Sequence, residues 1–297
     1  MDMDKLISKI LSGMSLRQVV MESLEEDTDL EERKVSFNGE SFPPYGICCV
    51  LAGGSGSGKG FMSNTQLLAN FKTFDVDKLK GFYLTAQKVG AVDDISDYSL
   101  TNPDDVSKLH SNIKELGWDK KWEKFFFSYL DKNKLPNILF DMTGKDPKKL
   151  SRIADMANGV GYHTSFVWVV SPRNVGILQN LTRKRSVSQE VFHSVHNAIY
   201  DNIFPFLKSN ACKNFDEAWI VVNLGKDKKD LSDRIQKLGD EYSVIQLEKS
   251  GDSFKVPDKI IDAIYEILGP KDDPENPQIY KDFDTIDIKQ GIKNVYR

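Results

Sequence analysis

The stretch Leu51-Ala52-Gly53-Gly54-Ser55-Gly56-Ser57-Gly58-Lys59-Gly60 decides the fold of this chain. From Gly53 to Lys59 it fits the phosphate-binding loop pattern G-x-x-x-x-G-K, in which glycines let backbone N–H groups surround a phosphate. The apolar run Ile47–Leu51 before it predicts a buried parallel strand, and Phe61–Phe71 after it predicts a helix. Such a helix directs its positive N-terminus at the same anion, and the lysine adds a charge that can reach the outer phosphates.

The loop predicts ATP as the bound nucleotide, held by the residues of the glycine-rich cradle: Gly53, Gly54, Ser55, Gly56, Ser57, Gly58, Lys59 and Gly60. A Ser or Thr usually follows the lysine, and its hydroxyl holds Mg²⁺. Gly60 stands there in this chain, so the ion has to be held through water and by other residues. The alternative is a glycine-rich turn that binds no ligand. The strand before the loop and the helix after it argue against that alternative.

The composition limits the protein to a few classes. Its 297 residues, 40% of them hydrophobic, can form one large domain or two small ones. The net charge of −4 gives no general attraction for nucleic acid or acidic membranes, although a local basic groove stays open. Three cysteines make no disulfide framework and indicate a reducing compartment. No apolar run approaches the roughly 20 residues of a membrane span, and the acidic start is unlike a signal peptide. We therefore expect a cytoplasmic protein that does not engage a membrane.

The pattern along the chain divides it into three parts. Residues 1–44 form an appendage in which helical spacing over 4–26 predicts one or two helices. This appendage either packs against the core, which we favour, or binds a partner. Residues 45–269 alternate strands with helices, which predicts an α/β domain with a mostly parallel sheet. Residues 270–297 form a polar tail that is poorly suited to a core.

A helical insertion is predicted within the α/β domain, over residues 78–135. Asn102-Pro103 is a helix start signal there. An aromatic stripe at helical spacing follows it, made of Trp118, Trp122, Phe125, Phe126 and Tyr129. Such a stripe is typical of packing between helices, and its alternative is a platform on which a base or sugar of the acceptor stacks.

Two aspartates lie in the segment Thr73–Asp77, beyond the phosphate loop. Phe74 and Val76 alternate with Asp75 and Asp77, so we expect both carboxylates on one face of an extended segment. Ligands of open α/β folds lie beyond the carboxyl ends of the strands. A carboxylate there can bind a substrate hydroxyl, or accept its proton during attack on a γ-phosphate. Asp77 can equally cap a helix, and the residues alone leave both roles open.

A second core strand, Asn137–Asp141, ends in an acid and is followed by Thr143. An acid at that end of a strand beside a phosphate loop typically orders Mg²⁺ through water. Asp141 is therefore the predicted metal ligand.

The rest of the α/β domain is predicted from apolar runs and boundary residues. The predicted elements are a helix over 147–158, a strand over 162–170, a helix from 173, a strand over 219–222, a helix over 230–238, a weaker edge strand over 243–247 and a closing helix over 257–268.

Three consecutive cations in the segment Asn180–Val187 include Arg183 and Arg185. Phosphoryl transfer spreads negative charge over the moving group, which guanidinium groups can stabilise through paired hydrogen bonds. The alternative is a solvated basic helix end, which the helix dipole also favours. His193 and His196 lie one turn apart without a third ligand, so we interpret them as packing or surface residues.

The order of these parts resembles the zeta-toxin family of P-loop kinases, which is related to polynucleotide and adenylylsulfate kinases. The matching parts are the phosphate loop, the Asp-x-Asp segment, the Asp-x-Thr-Gly that ends a strand, and the Arg-x-Arg-x-Val segment, within about residues 46–224. The resemblance implies a three-layer α/β/α kinase core that moves the γ-phosphate of ATP to a hydroxyl. The toxins act on a sugar nucleotide, and some members of the wider group act on nucleic acid. Whether an inhibitory protein partner covers the site is left open by the sequence.

The resemblance also assigns roles to single residues. Lys59 and the loop amides would bind the β- and γ-phosphates, and Asp77 matches the catalytic base, with Asp75 beside it as a substrate ligand. Asp141 and Thr143 match an acid and a Thr that hold substrate or the water shell of the metal. Arg183 and Arg185 match the arginines that embrace the transferred phosphate. Gly60 and the long insertion depart from the family pattern.

Three functions are consistent with these features. The first is an ATP-dependent kinase with a nucleotide-like, sugar-nucleotide or nucleic-acid acceptor. The second is a nucleotide-binding switch or pseudokinase, in which the loop holds ATP or GTP and the appendages bind a protein partner. Gly60 and the acidic ends of the chain favour it. The third is a nucleoside monophosphate kinase, since adenylate kinases carry a similar G-K-G. The acceptor motifs of adenylate kinases are not evident in the sequence.

Overall fold

The computed structural model describes residues 35–37, 40–42, 45–63, 68, 71–74, 76–94, 96–100, 102–128, 135–182, 187–223 and 244–271. The helices predicted over 4–26 and 230–238 lie outside these residues, as does the tail after residue 271. Residues 35–42 of the predicted helical appendage contain an antiparallel pair of short strands. In the part of the chain that the structure describes, no helix has the length and apolarity to cross a bilayer.

The strands are β1 (Val35–Phe37), β2 (Glu40–Phe42), β3 (Ile47–Ala52), β4 (Lys72–Phe74), β5 (Ile138–Met142), β6 (His163–Val170), β7 (Glu217–Val222), β8 (Val244–Ser250) and β9 (Ser253–Lys255). The helices are α1 (Lys59–Ser63), α2 (Val76–Lys88), α3 (Pro103–Glu115), α4 (Trp118–Ser128), α5 (Pro147–Gly159), α6 (Arg173–Thr182), α7 (Gln189–Leu207) and α8 (Asp258–Leu268), with a 3₁₀ turn at Asn210–Cys212. The predicted starts of α3, α5 and α6 and the closing helix α8 are confirmed.

The main sheet has the strand order β4-β5-β3-β6-β7-β8-β9. Strands β4, β5, β3, β6 and β7 are parallel, and β8 and β9 are antiparallel to their neighbours. The mostly parallel sheet is thus confirmed. The strand predicted over 243–247 is present as β8, which continues to Ser250: residues 244–247 pair with β7, and residues 248–250 pair with β9. Gly251, with φ +59°, makes the tight turn that returns the chain along β8.

Both faces of the sheet are covered, which confirms the three-layer core. On β3, Cys48, Val50 and Ala52 face one apolar cluster, which the buried faces of α5, α7 and α8 complete. Ile47, Cys49 and Leu51 face a second cluster on the other side. This alternation explains why β3 reads as a continuous apolar run. Burial raises the pKa of both adjacent thiols, so they pack as small apolar groups.

The helical insertion has a core of its own, formed by Leu79, Tyr83, Leu109 and Ile113. The Asn102 side chain caps α3 by accepting a hydrogen bond from the Asp104 N–H at 2.9 Å. In the aromatic stripe, Trp118 lies 5.7 Å from the ring of Tyr83, and Trp122 lies 4.7 Å from the ring of Phe74. Trp118 therefore packs within the insertion, and Trp122 packs the insertion onto β4. Tyr129 lies outside the described residues.

A buried ion-pair cluster joins the insertion to the core. Glu123 on α4 is 5% exposed. Its Oε2 lies 2.5 Å from Arg152 Nη2, and its Oε1 lies 3.4 Å from Lys149 Nζ, both on α5. Removing a carboxylate from such a cluster leaves cations without their counter-ion, which is far more costly than losing an exposed pair.

We expect Glu123→Gln to lower the free energy of unfolding by about 1–3 kcal/mol, because Arg152 and Lys149 lose their buried counter-ion. Thermal and urea unfolding of the full chain measure this change. Glu115→Gln on the exposed side of α3 is the matched control and should change stability little. Equal stability of the two variants would contradict the structural role of Glu123.

Candidate functional site

The glycine-rich stretch forms the predicted strand–loop–helix unit. β3 ends at Ala52, and α1 begins at Lys59. The N–H of Gly53 donates to the Thr143 carbonyl at 3.2 Å, which ties the loop to the chain after β5. The prediction that the helix extends to Phe71 is wrong at its end. Phe71 lies in a bend and donates to the Leu68 carbonyl, because the chain must turn there to enter β4.

Two glycines of the loop allow contacts that no other residue permits. Gly56 has φ +72°, and a Cβ there would lie 2.1 Å from the Gly176 carbonyl oxygen on α6. Gly58 has φ +99°, and a Cβ there would lie 2.4 Å from Asn223 Nδ2. The loop is therefore pressed between α6 and the end of β7, and its shape depends on these missing side chains.

The Lys59 ammonium lies inside the loop. Nζ donates to the carbonyls of Gly53 at 2.7 Å and Gly54 at 3.2 Å, and it lies 3.9 Å from Asp141 Oδ1. The lysine side chain is 14% exposed and the aspartate side chain 26% exposed. A cation and a carboxylate that are partly shielded from water interact more strongly than an exposed pair. The predicted phosphate-binding lysine and the predicted metal ligand are thus brought together.

Asp141 and Thr143 lie at the carboxyl edge of the sheet, where the parallel strands end. Asp141 pairs in register with Leu51 of β3, the second-last residue before the loop. Mg²⁺ in phosphate sites usually takes one or two carboxylates together with phosphate oxygens and water, and Asp141 fits that requirement. Gly60 offers no hydroxyl, although a Cβ there would meet nothing within 4 Å. Among the described residues, no group of three or more His, Cys, Asp or Glu could form an all-protein metal cage.

The prediction that Asp75 and Asp77 lie in one extended segment is wrong. β4 ends at Phe74, and α2 already begins at Val76, so Asp77 lies in the first turn of a helix. Alternation over five residues fits a strand, but the strand stops once the chain passes the carboxyl edge of the sheet. Asp75 lies outside the described residues. Because β4 pairs with β5, the start of α2 still lies at the same edge as Asp141.

Arg183 and Arg185 lie outside the described residues. Helix α6 ends at Thr182, and the described chain resumes at Val187. The two histidines are buried on α7, with His193 Nδ1 3.3 Å from Arg173 Nη2, which confirms that they are packing residues.

Two asparagines of the site were not predicted. Asn223 follows β7, donates its N–H to the Val170 carbonyl at 2.7 Å and donates Nδ2 to the Ser57 carbonyl at 2.9 Å. Asn180 on α6 accepts a hydrogen bond from the Ser55 hydroxyl at 2.8 Å. A polar residue that directly ends a buried strand was the available signal for Asn223. The position of Asn180 had no such signal.

We expect Gly56→Ala to destabilise the protein, since an alanine in this backbone conformation costs about 1–3 kcal/mol even before its clash with the Gly176 carbonyl. Differential scanning fluorimetry should show a lower Tm. Gly60→Ala is the matched control, because Gly60 is exposed, helical and surrounded by open space. A Tm for Gly56→Ala as high as that of the control would show that the loop does not need this close contact.

Neither protein-family models nor curated proteins match the sequence. Solved structures do match. A chain of the AvrRxo1-ORF1:AvrRxo1-ORF2 crystal structure with sulphate ions has a TM-score of 0.51 and 14% identity, over 77% of this chain and 66% of that one. The AvrRxo1-ORF1:-ORF2 structure with ATP gives 0.51 and 13%, over 77% and 65%. The matched region therefore spans slightly less than two thirds of these chains.

The PezAT chromosomal toxin–antitoxin system of Streptococcus pneumoniae also matches, with a TM-score of 0.45 and 12% identity over 91% of this chain and 93% of the other. Fold similarity rests on the two matches above a TM-score of 0.5, together with the strand order and the loop geometry. The chain has the α/β fold predicted by its resemblance to the zeta-toxin-like P-loop kinases.

Proposed function

We propose that this protein is an ATP-dependent kinase that transfers the γ-phosphate to a hydroxyl group of its acceptor. One observation carries the proposal: the Lys59 ammonium, bonded to two backbone carbonyls of the glycine-rich loop, lies 3.9 Å from the Asp141 carboxylate at the carboxyl edge of the sheet. A cation for phosphate oxygens and an acid for a metal are the two groups that γ-phosphate activation needs in one place.

The phosphate loop and Lys59 hold the triphosphate in this proposal. Lys59 Nζ exchanges its hydrogen bonds to the Gly53 and Gly54 carbonyls for bonds to phosphate oxygens, which carry full negative charge. The contacts of the loop with Gly176 and Asn223 fix its amides before the nucleotide arrives, so little ordering is required on binding. The AvrRxo1-ORF1:-ORF2 structure with ATP has the same fold, which supports ATP as the nucleotide.

Mg²⁺ would be held by Asp141 together with phosphate oxygens and water, and it would neutralise charge on the β- and γ-phosphates. Thr143 follows at the same edge and can bind the water shell or the substrate. Arg183 and Arg185 are proposed to stabilise the charge of the transferred group.

The acceptor is proposed to lie between the insertion and the carboxyl edge of the sheet. A pocket there is lined by Phe74, Trp122, Asp141 and Lys149. Asp119 and Glu123 also line it, and its volume of about 10 Å³ is that of a single water, so in this proposal it is only the inner end of the acceptor site. The proposed acceptor is nucleotide-like, a sugar nucleotide or nucleic acid. Asp77 at the start of α2 is proposed as the base that takes the hydroxyl proton, and Asp75 as a substrate ligand. An inhibitory protein partner that covers this edge would be a means of control.

The second candidate is a nucleotide-binding switch that performs no transfer, and the missing hydroxyl at Gly60 favours it. The same experiment distinguishes the two, because a switch binds nucleotide without labelling any acceptor.

We expect Lys59→Ala to weaken ATP binding and to abolish transfer of label from γ-³²P-ATP, because the phosphates lose their buried cation. The assay screens sugar nucleotides, nucleosides, nucleoside monophosphates and DNA as acceptors, with nucleotide affinity measured by calorimetry. Lys88→Ala, at the exposed end of α2, is the matched control.

Nucleotide binding without transfer to any acceptor would favour the switch over the kinase. Unchanged affinity and turnover in Lys59→Ala would contradict the proposed site itself.

We expect Asp77→Asn to retain nucleotide affinity and to lose about 10²–10⁴-fold in kcat, the usual contribution of a general base. Single-turnover kinetics on the acceptor identified by the screen measure the loss. Asp104→Asn, in the first turn of α3, is the matched control for removing an acid from a helix start. Retained turnover in Asp77→Asn would place the base elsewhere.

A further inference from the structure

Asn180 is a buried polar residue that joins two parts of the site. Its side chain is completely inaccessible to solvent. Its Oδ1 accepts hydrogen bonds from the Ser55 hydroxyl at 2.8 Å and from the Val187 N–H at 3.1 Å. Its Nδ2 donates to the Val187 carbonyl at 3.0 Å. One amide therefore contacts the phosphate loop and a chain segment seven residues downstream.

The first of these contacts fixes the tip of the phosphate loop. Ser55 is half-buried and precedes Gly56, whose backbone is pressed against Gly176 one helical turn before Asn180. Ser55 is thus held to α6 by a directional bond next to a close backbone contact. A hydrogen bond inside a packed site restricts the loop more than the same bond in water, because no solvent competes for its partners.

The second contact fixes the point where the described chain returns after the basic segment 183–186. The backbone N–H and the carbonyl of Val187 both form hydrogen bonds with the Asn180 side-chain amide. The next residue, Ser188, caps α7 by accepting a hydrogen bond from the Val191 N–H. Asn180 thereby sets the start of α7 relative to α6.

We propose that Asn180 is a positioning residue that couples the phosphate loop to the chain around the basic segment. This inference rests on the proposed kinase function. Lys59 and the two arginines are proposed to act on the same phosphoryl group, and Asn180 is the described residue that bonds to the loop on one side and to Val187 on the other. Loss of the Ser55–Asn180 bond frees the loop tip. Nucleotide binding is then weaker, because the loop tip has to be ordered when the nucleotide binds.

The experiment is a double-mutant cycle on the full chain with Ser55→Ala, Asn180→Ala and the double variant. Calorimetry gives the Kd of a non-hydrolysable ATP analogue, and steady-state kinetics give KM for ATP and kcat. We expect each single variant to weaken binding and raise KM by about 3- to 10-fold, the effect of one hydrogen bond. The double variant should bind the analogue no more weakly than whichever single variant binds it more weakly, because both substitutions remove the same Ser55–Asn180 bond.

Asn174→Ala, on the exposed side of α6, is the matched control and should bind as the wild type does. A merely structural Asn180 would lower Tm and the active fraction while KM for ATP stays unchanged. Ser55→Ala removes only a half-buried hydroxyl, so it tests the bond even where Asn180→Ala does not fold.

Wild-type affinity in Ser55→Ala, or effects that multiply in the double variant, would overturn the inference and leave the kinase proposal standing. Absence of nucleotide binding by the wild type would overturn the proposed function, and the inference with it.

Discussion

The close contact between the phosphate loop and the backbone of α6 is the constraint on which the rest of the site depends. Only glycine at position 56 lets the loop reach the Gly176 carbonyl, and only glycine at position 58 leaves room for the Asn223 amide. Helix α6 follows β6, and Asn223 follows β7. The sheet therefore determines the positions of the two groups between which the loop lies. The position of the loop therefore depends on the three-layer core, whose two apolar clusters hold those strands in place.

Charge placement follows from the same arrangement. β3 lies beside β5, so Asp141, the second-last residue of β5, lies close to the loop that follows β3. This is why Lys59 and Asp141 meet although 82 positions separate them in the sequence. The insertion approaches the same edge from the side of β4, where Trp122 packs on Phe74 and Glu123 pairs with α5. In the proposed function, nucleotide and acceptor therefore approach from neighbouring parts of one surface.

Short sequence patterns predict those structural elements that are determined by interactions between residues close together in the chain. The apolar run of β3, the glycine spacing of the loop and the Asn-Pro start of α3 each express one short-range rule, and all three are confirmed. The position of Asp141 beside the loop follows from an acid at the end of an apolar run, and its role as a metal ligand stays a prediction. The extended form of the segment with Asp77 is wrong, since five alternating residues do not show where a sheet ends. Asn180 and Asn223 were missed because their partners, Ser55 and Ser57, lie 125 and 166 residues away.

The two outer strands of the main sheet, β4 and β9, are each only three residues long. An exposed strand edge of that length offers few unpaired backbone groups to another chain, and the lysine in each of them adds a charge that resists such pairing. Addition of a strand from another chain onto β4 or β9 is therefore disfavoured.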